Sequence, residues 1–335
     1  MTGRVMKAQR ITLDDIATLA GVTKMTVSRY LRTPEKVKPE TAERIASVIE
    51  EVGYQPDADN PAISSNIAPR IGVLIPSFNN QIFADVLSGI ESVTTAHGYQ
   101  TLVVNYDYDS QREEEQIATV LALNVKALLL TESVHTLRAE KYLKAAKIPV
   151  AEVMGLSDNA GRINVGFDNY RAGFDMTAML LASGKKQIIY FGSMSDIRDE
   201  QRYAGYCKAM EEAGLTVGRI APNKVSSVSI GTGMMTLARQ MYKEMDAILC
   251  TNDDLAVGVL QECLASGISV PQEMAIAGFH GLEIGQIVSP RLASVLTPRF
   301  EMGKVATEIL IKKIKGLPTI EKVDLHYRLS MGETI

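Results

Sequence analysis

The sequence predicts an N-terminal three-helix helix-turn-helix head followed by an α/β core of two doubly wound parallel-sheet subdomains. Three observations carry that expectation. Residues 12–31, TLDDIATLAGVTKMTVSRYL, place a small residue, a turn glycine and an inward valine at the spacing of two closely crossing helices. Residues 55–70, QPDADNPAISSNIAPR, contain three prolines and little periodicity, and read as a linker. From Arg70 onward, short apolar runs alternate with helical stretches, and the alternation occurs twice.

In the head, Thr12 is placed to cap a first helix, with Asp15 three residues on as the acidic member of a capping box. Ile16, Ala17, Leu19 and Ala20 form its expected inner face. Gly21 falls where the helix must end in a left-handed conformation, and Thr23 caps a second helix from Lys24 to about Leu31. Val27 points inward, leaving Lys24, Met25, Ser28 and Arg29 as the outward strip. An ordinary helical hairpin with a solvated face is the plain alternative. Against it stands Met25, exposed between a lysine and polar neighbours, because a thioether suits a thymine methyl and Arg29 suits guanine or phosphate. Pro39 opens a third helix in which Ala42, Ile45, Ala46, Ile49 and Val52 recur at helical spacing before Gly53 ends it.

The core begins with IGVLIP, then FADVLSGIESVTTAHG, QTLVVNY, an acidic helix through Glu113 to Leu123, and KALLLT. A second set starts near Val165 and includes KQIIYFG, a helix through Tyr203 to Ala213, DAILCTNDD, LAVGVLQECLASG and EMAIAGFHG. Buried strands separated by helices in this order form parallel sheets, whose ligands bind beyond the strand C-termini. The expected site is the cleft between the two sheets.

Composition bounds the function. At 335 residues and 46% hydrophobic content the chain has material for two or three domains. Its net charge of −4 makes the whole molecule no polycation, yet residues 1–49 hold nine basic side chains against five acids, a head of net +4. Cys207, Cys250 and Cys263 have neither metal-ligand spacing nor even pairing, so no metal site and no disulfide framework is expected. No stretch has the pattern of a signal peptide or the roughly 20 apolar residues of a membrane span, which sets the expected location as the cytoplasm. Enzyme chemistry lacks support. There is no Gly-rich phosphate loop or nucleophile elbow, and His97, His135, His280 and His326 lie in no metal-binding pattern. No cofactor is expected.

With these segments in view, the chain resembles the lac-repressor family of bacterial transcription factors across nearly its full length. The helix-turn-helix, the GYQP segment, IGVLIP, RYAGY, TNDDLAVG and IAGFHG correspond in order to the landmarks of that family. VTKMTVSRYLR, GIESVTTAHGYQT, VGFDN, CTNDDLAVG, IAGFHGLEIGQ and LASVLTPR are similar to its gluconate and L-idonate regulators. The resemblance implies a homodimer reading a pseudo-palindromic double-stranded operator through two heads, with cores resembling periplasmic sugar-binding proteins. It implies a head over 1–55, a hinge over 56–69, a first core subdomain over 70–166 plus 297–321, and a second over 167–296 plus 322–335.

Carried over residue by residue, the family's recognition helix places Lys24, Met25 and Arg29 at the bases, with Thr23, Thr26 and Ser28 at phosphates. Its minor-groove wedge aligns with Ile63. The hinge departs from the family pattern, because Asp57 and Asp59 repel phosphate and Pro61 removes a backbone donor. The family's effector contacts map onto Ser77, Phe83, Met154, Asp168, Arg202, Asn252, Asp253 and His280. Plain alternatives stand beside four of these: a surface pairing of Arg202 with Asp199 or Glu200, helix capping by Asn252 or Asp253, and a hydrogen-bonded turn histidine at His280. Glu132, after the strand ALLLT, stands at the same cleft mouth, either accepting hydroxyls or facing the partner subunit. No role is assigned to Glu152.

Met154 and His280 are informative, because many neutral-sugar and purine-responsive members carry aspartate at both positions. A cleft that replaces two carboxylates by a thioether and an imidazole while keeping Arg202 favours an anionic polyol. The resulting expectation is a DNA-binding regulator controlled by gluconate, L-idonate or a keto-gluconate, with no membrane partner. The rival is a stand-alone sugar-binding sensor or transport protein without DNA function.

Overall fold

The computed structural model describes residues 12–52, 54, 68–193, 196–222 and 224–335. The chain divides into two compact units at Ala68 and Pro69.

The head is built from α1 (Leu13–Leu19), α2 (Lys24–Arg32), a short 3-10 turn and α3 (Pro39–Val52). The Thr12–Asp15 capping box forms in both directions, and the Thr23 side chain accepts the Thr26 amide at 3.2 Å. Gly21 has φ +64°, the left-handed turn expected between the helices. Ile16, Ala17, Ala20, Val27 and Ile45 close a small core. Leu19 departs from the expected inner face and is 60% exposed. It is the last residue of a seven-residue helix, beyond the reach of the residues that bury Ile16.

In the core unit, the first sheet has the order β11-β5-β4-β3-β1-β2 and the second β12-β10-β9-β8-β6-β7. The first comprises β1 (Arg70–Ile75), β2 (Gln100–Asn105), β3 (Ala127–Leu130), β4 (Val150–Val153), β5 (Ile163–Gly166) and β11 (Lys322–Asp324). The second comprises β6 (Ile188–Phe191), β7 (Arg219–Ile220), β8 (Ala247–Cys250), β9 (Ala275–His280), β10 (Ala293–Leu296) and β12 (Arg328–Ser330). All pairings are parallel except β10 with β12. The central strands are buried along their length, which is why they read as unbroken apolar runs rather than alternating ones.

One expected boundary is corrected. The family resemblance places residues 322–335 in the second subdomain, but β11 pairs with β5, Lys322 opposite Asn164, and so belongs to the first sheet. Only β12 joins the second. The chain also returns to the first subdomain through α12 (Arg299–Ile314), which lies against α4 (Gln81–Ala96). A Cβ at Gly303 would stand 2.0 Å from the Val86 carbonyl oxygen, so the two helices meet backbone to backbone.

Beneath the first sheet lies a buried ionic cluster. His135 Nδ1 is 3.0 Å from Glu113, its Nε2 is 3.6 Å from Glu152, and Glu152 also accepts from Arg162, Ser157 and Asn159. Glu152 is therefore a structural member of the core. Burial by itself would lower the His135 pKa, but the two carboxylates outweigh it and carry it up to about 9. A histidine raised in the fold stabilises it fully below about pH 6.5, and the contribution is lost as pH climbs to about 9. Asp253 acts at lower pH. Burial raises its carboxyl to about 7, so its penalty develops between its ordinary 3.8 and that value. Between pH 7 and 9 the His135 contribution of up to about 3 kcal/mol should fall away, measured by urea unfolding. His135→Gln should flatten that slope, and an unchanged slope would disprove the assignment.

Candidate functional site: an outward helix and an inter-sheet cleft

On the head, α2 presents Met25 with 71% of its surface exposed, flanked by exposed Lys24 and Arg29. Lys24 Nζ rests on Asp14 at 2.6 Å, an exposed pair worth at most about 1 kcal/mol and easily exchanged for a phosphate or base. Thr23 and Thr26 share a hydroxyl contact at 2.9 Å, and Ser28 accepts from Arg32 at 2.7 Å. These three small hydroxyls stand at the start and along the side of the helix. Ile63 lies outside the described residues.

The cleft of the core is assembled where strands of both sheets end. A cavity there is lined on the first-subdomain side by Asn80, Ile82, Phe83, Tyr108 and Met154. On the second-subdomain side it is lined by Ser193, Asp196, Arg198, Asp199, Arg202, Val225, Ser226, Thr251, Asn252 and His280. Five of the expected effector residues are thereby brought together: Phe83, Met154, Arg202, Asn252 and His280.

Arg202 lies inside α8 (Ile197–Glu212), a helix that starts five residues before it and six before the segment legible in the sequence at Tyr203. Asp196 explains the early start, its side chain accepting the Arg198 and Asp199 amides. The close approach of α8 to α7 (Asn169–Ala182) sets the height of Arg202, since a Cβ on Gly173 would strike the Arg202 carbonyl oxygen at 2.3 Å. The Arg202 guanidinium lies 4.0 Å over the Phe279 ring. Its Nε donates to Asn169 at 2.9 Å and its Nη1 to the Thr251 carbonyl at 2.7 Å. Both acceptors are neutral, and Nη2 has no acceptor among the described residues. The surface pairing weighed from sequence does not occur. Asp199 and Glu200 bind Arg219 instead, and Arg202 is 5% exposed.

His280 ends β9 with φ +95°, and Met154 follows β4 with φ +84°. Left-handed backbone at non-glycine residues is strained by about 1–3 kcal/mol and persists where surrounding bonds impose it. Here Asn169 Nδ2 holds the Met154 carbonyl at 3.1 Å, and Arg299 Nη1 holds that of His280. Burial, then the Arg202, Arg299 and Arg198 guanidinia, keep His280 well below its ordinary pKa, so the ring is neutral at pH 7. Its Nδ1 meets Thr297 Oγ1 at 3.1 Å.

Asn252 has a second task, and the other expected residues lie off this cavity wall. Asn252 lines the cavity and also caps α10 (Asp253–Ala265) through the Leu255 amide at 3.1 Å. Asp253 is fully buried behind it, accepting from the Leu282 amide and Ser294 Oγ, and does not line the cavity. Asp168 is an exposed N-cap of α7 bound to the Arg171 amide at 2.9 Å. Ser77 accepts the Asn79 amide at 3.1 Å in the turn after β1, also off the cavity wall. Glu132 bonds Tyr106 at 2.8 Å and Arg198 at 2.7 Å.

Arg198, Tyr108, Asn80, Asp196 and Thr251 were not singled out from sequence. Arg198 had one usable signal, its position four residues before Arg202, which puts both on one helix face. It reaches across the cleft, donating to the Thr131 carbonyl at 2.9 Å as well as to Glu132 and Asp196. The cleft thus offers a buried guanidinium with free N–H groups, a neutral imidazole, amides and hydroxyls, a donor set suited to an anion carrying hydroxyls. Among the described residues no helix is long and apolar enough to cross a membrane, and no group of three or more His, Cys, Asp or Glu is placed to hold a metal ion.

Comparison with known proteins matches this geometry. The family described as bacterial regulatory proteins, lacI family, covers residues 12–57, and that of periplasmic binding proteins and the sugar binding domain of the LacI family covers residues 68–328. The HTH-type transcriptional regulator IdnR of Escherichia coli (strain K12) is 47% identical over 98% of this chain and 100% of its own length. GntR of the same strain is 45% identical over the same shares. Among solved structures, a LacI-family transcriptional regulator from Silicibacter pomeroyi superposes with TM-score 0.87 at 30% identity, covering 97% of this chain and 99% of that one. The transcription regulator GntR from Chromobacterium violaceum gives TM-score 0.77 at 35% identity over 79% and 98%. These relatives are named as transcriptional regulators rather than enzymes, and the match over the head removes the rival of a sensor without DNA function. The chain belongs to the LacI family of bacterial regulatory proteins and is a DNA-binding transcriptional regulator.

Proposed function

We propose that the regulator acts as a homodimer whose operator binding is controlled by a sugar acid, gluconate, L-idonate or a keto-gluconate, held in the inter-sheet cleft. The observation that carries this reading is Arg202: a buried guanidinium with neutral partners and a free Nη2, facing a cavity whose His280 is uncharged. A buried charge in direct contact with no carboxylate is costly, and a ligand carboxylate supplies that contact. Met154 and His280, where related regulators carry acids, add no competing negative charge. The similarity to the gluconate and L-idonate regulators supports the same ligand class.

In the head, Lys24, Met25 and Arg29 read base edges, with Thr23, Thr26 and Ser28 at phosphates and residues 56–69 as the connecting hinge. Ligand binding alters operator affinity only through differential binding to two arrangements of the core, a coupling of about 1–3 kcal/mol. Thermal-shift measurement on the full chain tests the ligand class. Gluconate, L-idonate or 5-ketogluconate should stabilise the protein by about 2.7 kcal/mol at a hundred times Kd. Stabilisation by neutral hexoses alone would overturn the reading.

A further inference from the structure

We infer that the cleft is built to admit a singly charged sugar acid and to reject dianionic ones, with Glu132 as the residue that sets the charge limit. The inference rests on the sugar-acid reading above and deepens it. Arg198 and Arg202 lie four residues apart on one face of α8, and both line the cavity. A cleft with two open guanidinia would prefer two anionic groups. Only one is open.

Four of the five N–H groups of Arg198 are occupied. Nε and Nη2 go to Asp196, Nη2 also to Glu132 at 2.7 Å, and Nη1 to the Thr131 carbonyl. Its charge is met by two carboxylates, one from each side of the cleft. Asp199, the other acid of the wall, is held by Arg219 at 2.8 Å and by the Tyr190 hydroxyl. Arg202 alone touches no carboxylate.

The wall beyond Arg198 continues into a second cavity lined by Tyr106, Tyr108, Glu113, Glu132 and Asp196. Glu132 Oε2 has no partner among the described residues, and Oε1 takes both the Tyr106 hydroxyl and Arg198. Tyr108 and Asp196 line both cavities, so a ligand anchored by its carboxylate at Arg202 can extend its far end toward these acceptors. Hydroxyl groups can donate there. A second carboxylate or a phosphate meets Glu132 and Asp196 at close range in a poorly solvated wall, where like charges repel strongly.

Glu132→Gln removes that charge and keeps the shape, since the amide oxygen still accepts from Tyr106 and Arg198. The test is calorimetric titration of the full chain with gluconate, glucarate, gluconate 6-phosphate and glucose. The wild type should bind gluconate at least 100-fold more tightly than either dianion. In Glu132→Gln the ratio of dianion to gluconate affinity should rise at least tenfold, with circular dichroism confirming the fold. Dianions binding the wild type within threefold of gluconate would overturn the charge limit and leave the sugar-acid reading standing. An unchanged ratio in a folded Glu132→Gln protein would overturn the role of Glu132. Binding of glucose alone would overturn the sugar-acid reading and this inference with it. If Glu132→Gln fails to fold, the wild-type ratio decides the charge limit by itself.

Discussion

Arg202→Ala is expected to abolish the response to sugar acids while leaving the protein folded. Truncating one partner of a buried, hydrogen-bonded charge pair costs about 2–5 kcal/mol, so the ligand Kd should weaken from about 30-fold to several thousand-fold. The effect on the empty protein is the sum of opposing parts. The substitution loses bonds to Asn169 and the Thr251 carbonyl and the contact with Phe279, but it also removes a buried charge that no carboxylate touches directly. The melting temperature without ligand should therefore change by only a few degrees, and the ligand-induced shift should vanish. Arg202→Lys keeps the charge and loses the planar fork, so it should fall between wild type and alanine. Unchanged gluconate or idonate affinity in the alanine variant, measured by calorimetry, would remove Arg202 from the site.

Arg29→Ala should weaken operator binding and flatten sequence preference. The side chain is exposed on α2 and packs into no part of the head core, whereas Val27 of the same helix is fully buried. Removing it should leave the three-helix unit intact. A bidentate base contact is worth about 1–3 kcal/mol, and a dimer makes it once in each half-site, so about 2–6 kcal/mol is at stake. Fluorescence anisotropy with operator and scrambled duplexes at fixed salt separates lost readout from lost phosphate attraction. Equal weakening on both duplexes would mean that Arg29 contacts phosphate only; unchanged binding would remove it from the interface.

Much of the head was legible because its determinants are local. Thr12 and Asp15 sit three residues apart, Gly21 needs only its own φ, and Thr23 caps the helix that follows it. Leu19 was placed on the wrong face because periodicity does not tell where a short helix loses its neighbour. The core strands were legible from apolar runs, but β11 was not. Three residues, Lys322–Asp324, have no pattern of their own and become a strand by pairing with β5.

The cleft divides in the same way. Phe83, Met154, Arg202, Asn252 and His280 were named through the family resemblance, and the structure brings these five to one cavity. The surface pairing considered for Arg202 with Asp199 or Glu200 fails because Arg198, Asp199 and Arg202 are all buried. Asp253 and Asp168 are chemically able to meet a ligand, and their hydrogen bonds are made elsewhere.

The sequence by itself determined the helix-turn-helix head, the two-sheet core and the set of strand ends that form a cleft, since caps, turns and periodicity act over a few residues. The tertiary structure alone decided which charges are neutralised. Arg198 meets Glu132 from 66 positions away, and Arg202 meets the Thr251 carbonyl from 49. Whether a buried guanidinium is paired or open depends on where distant elements deliver an acceptor, because Coulomb and hydrogen-bond energies depend on distance in space. That distance is what leaves Arg202 without a carboxylate contact and Arg198 paired.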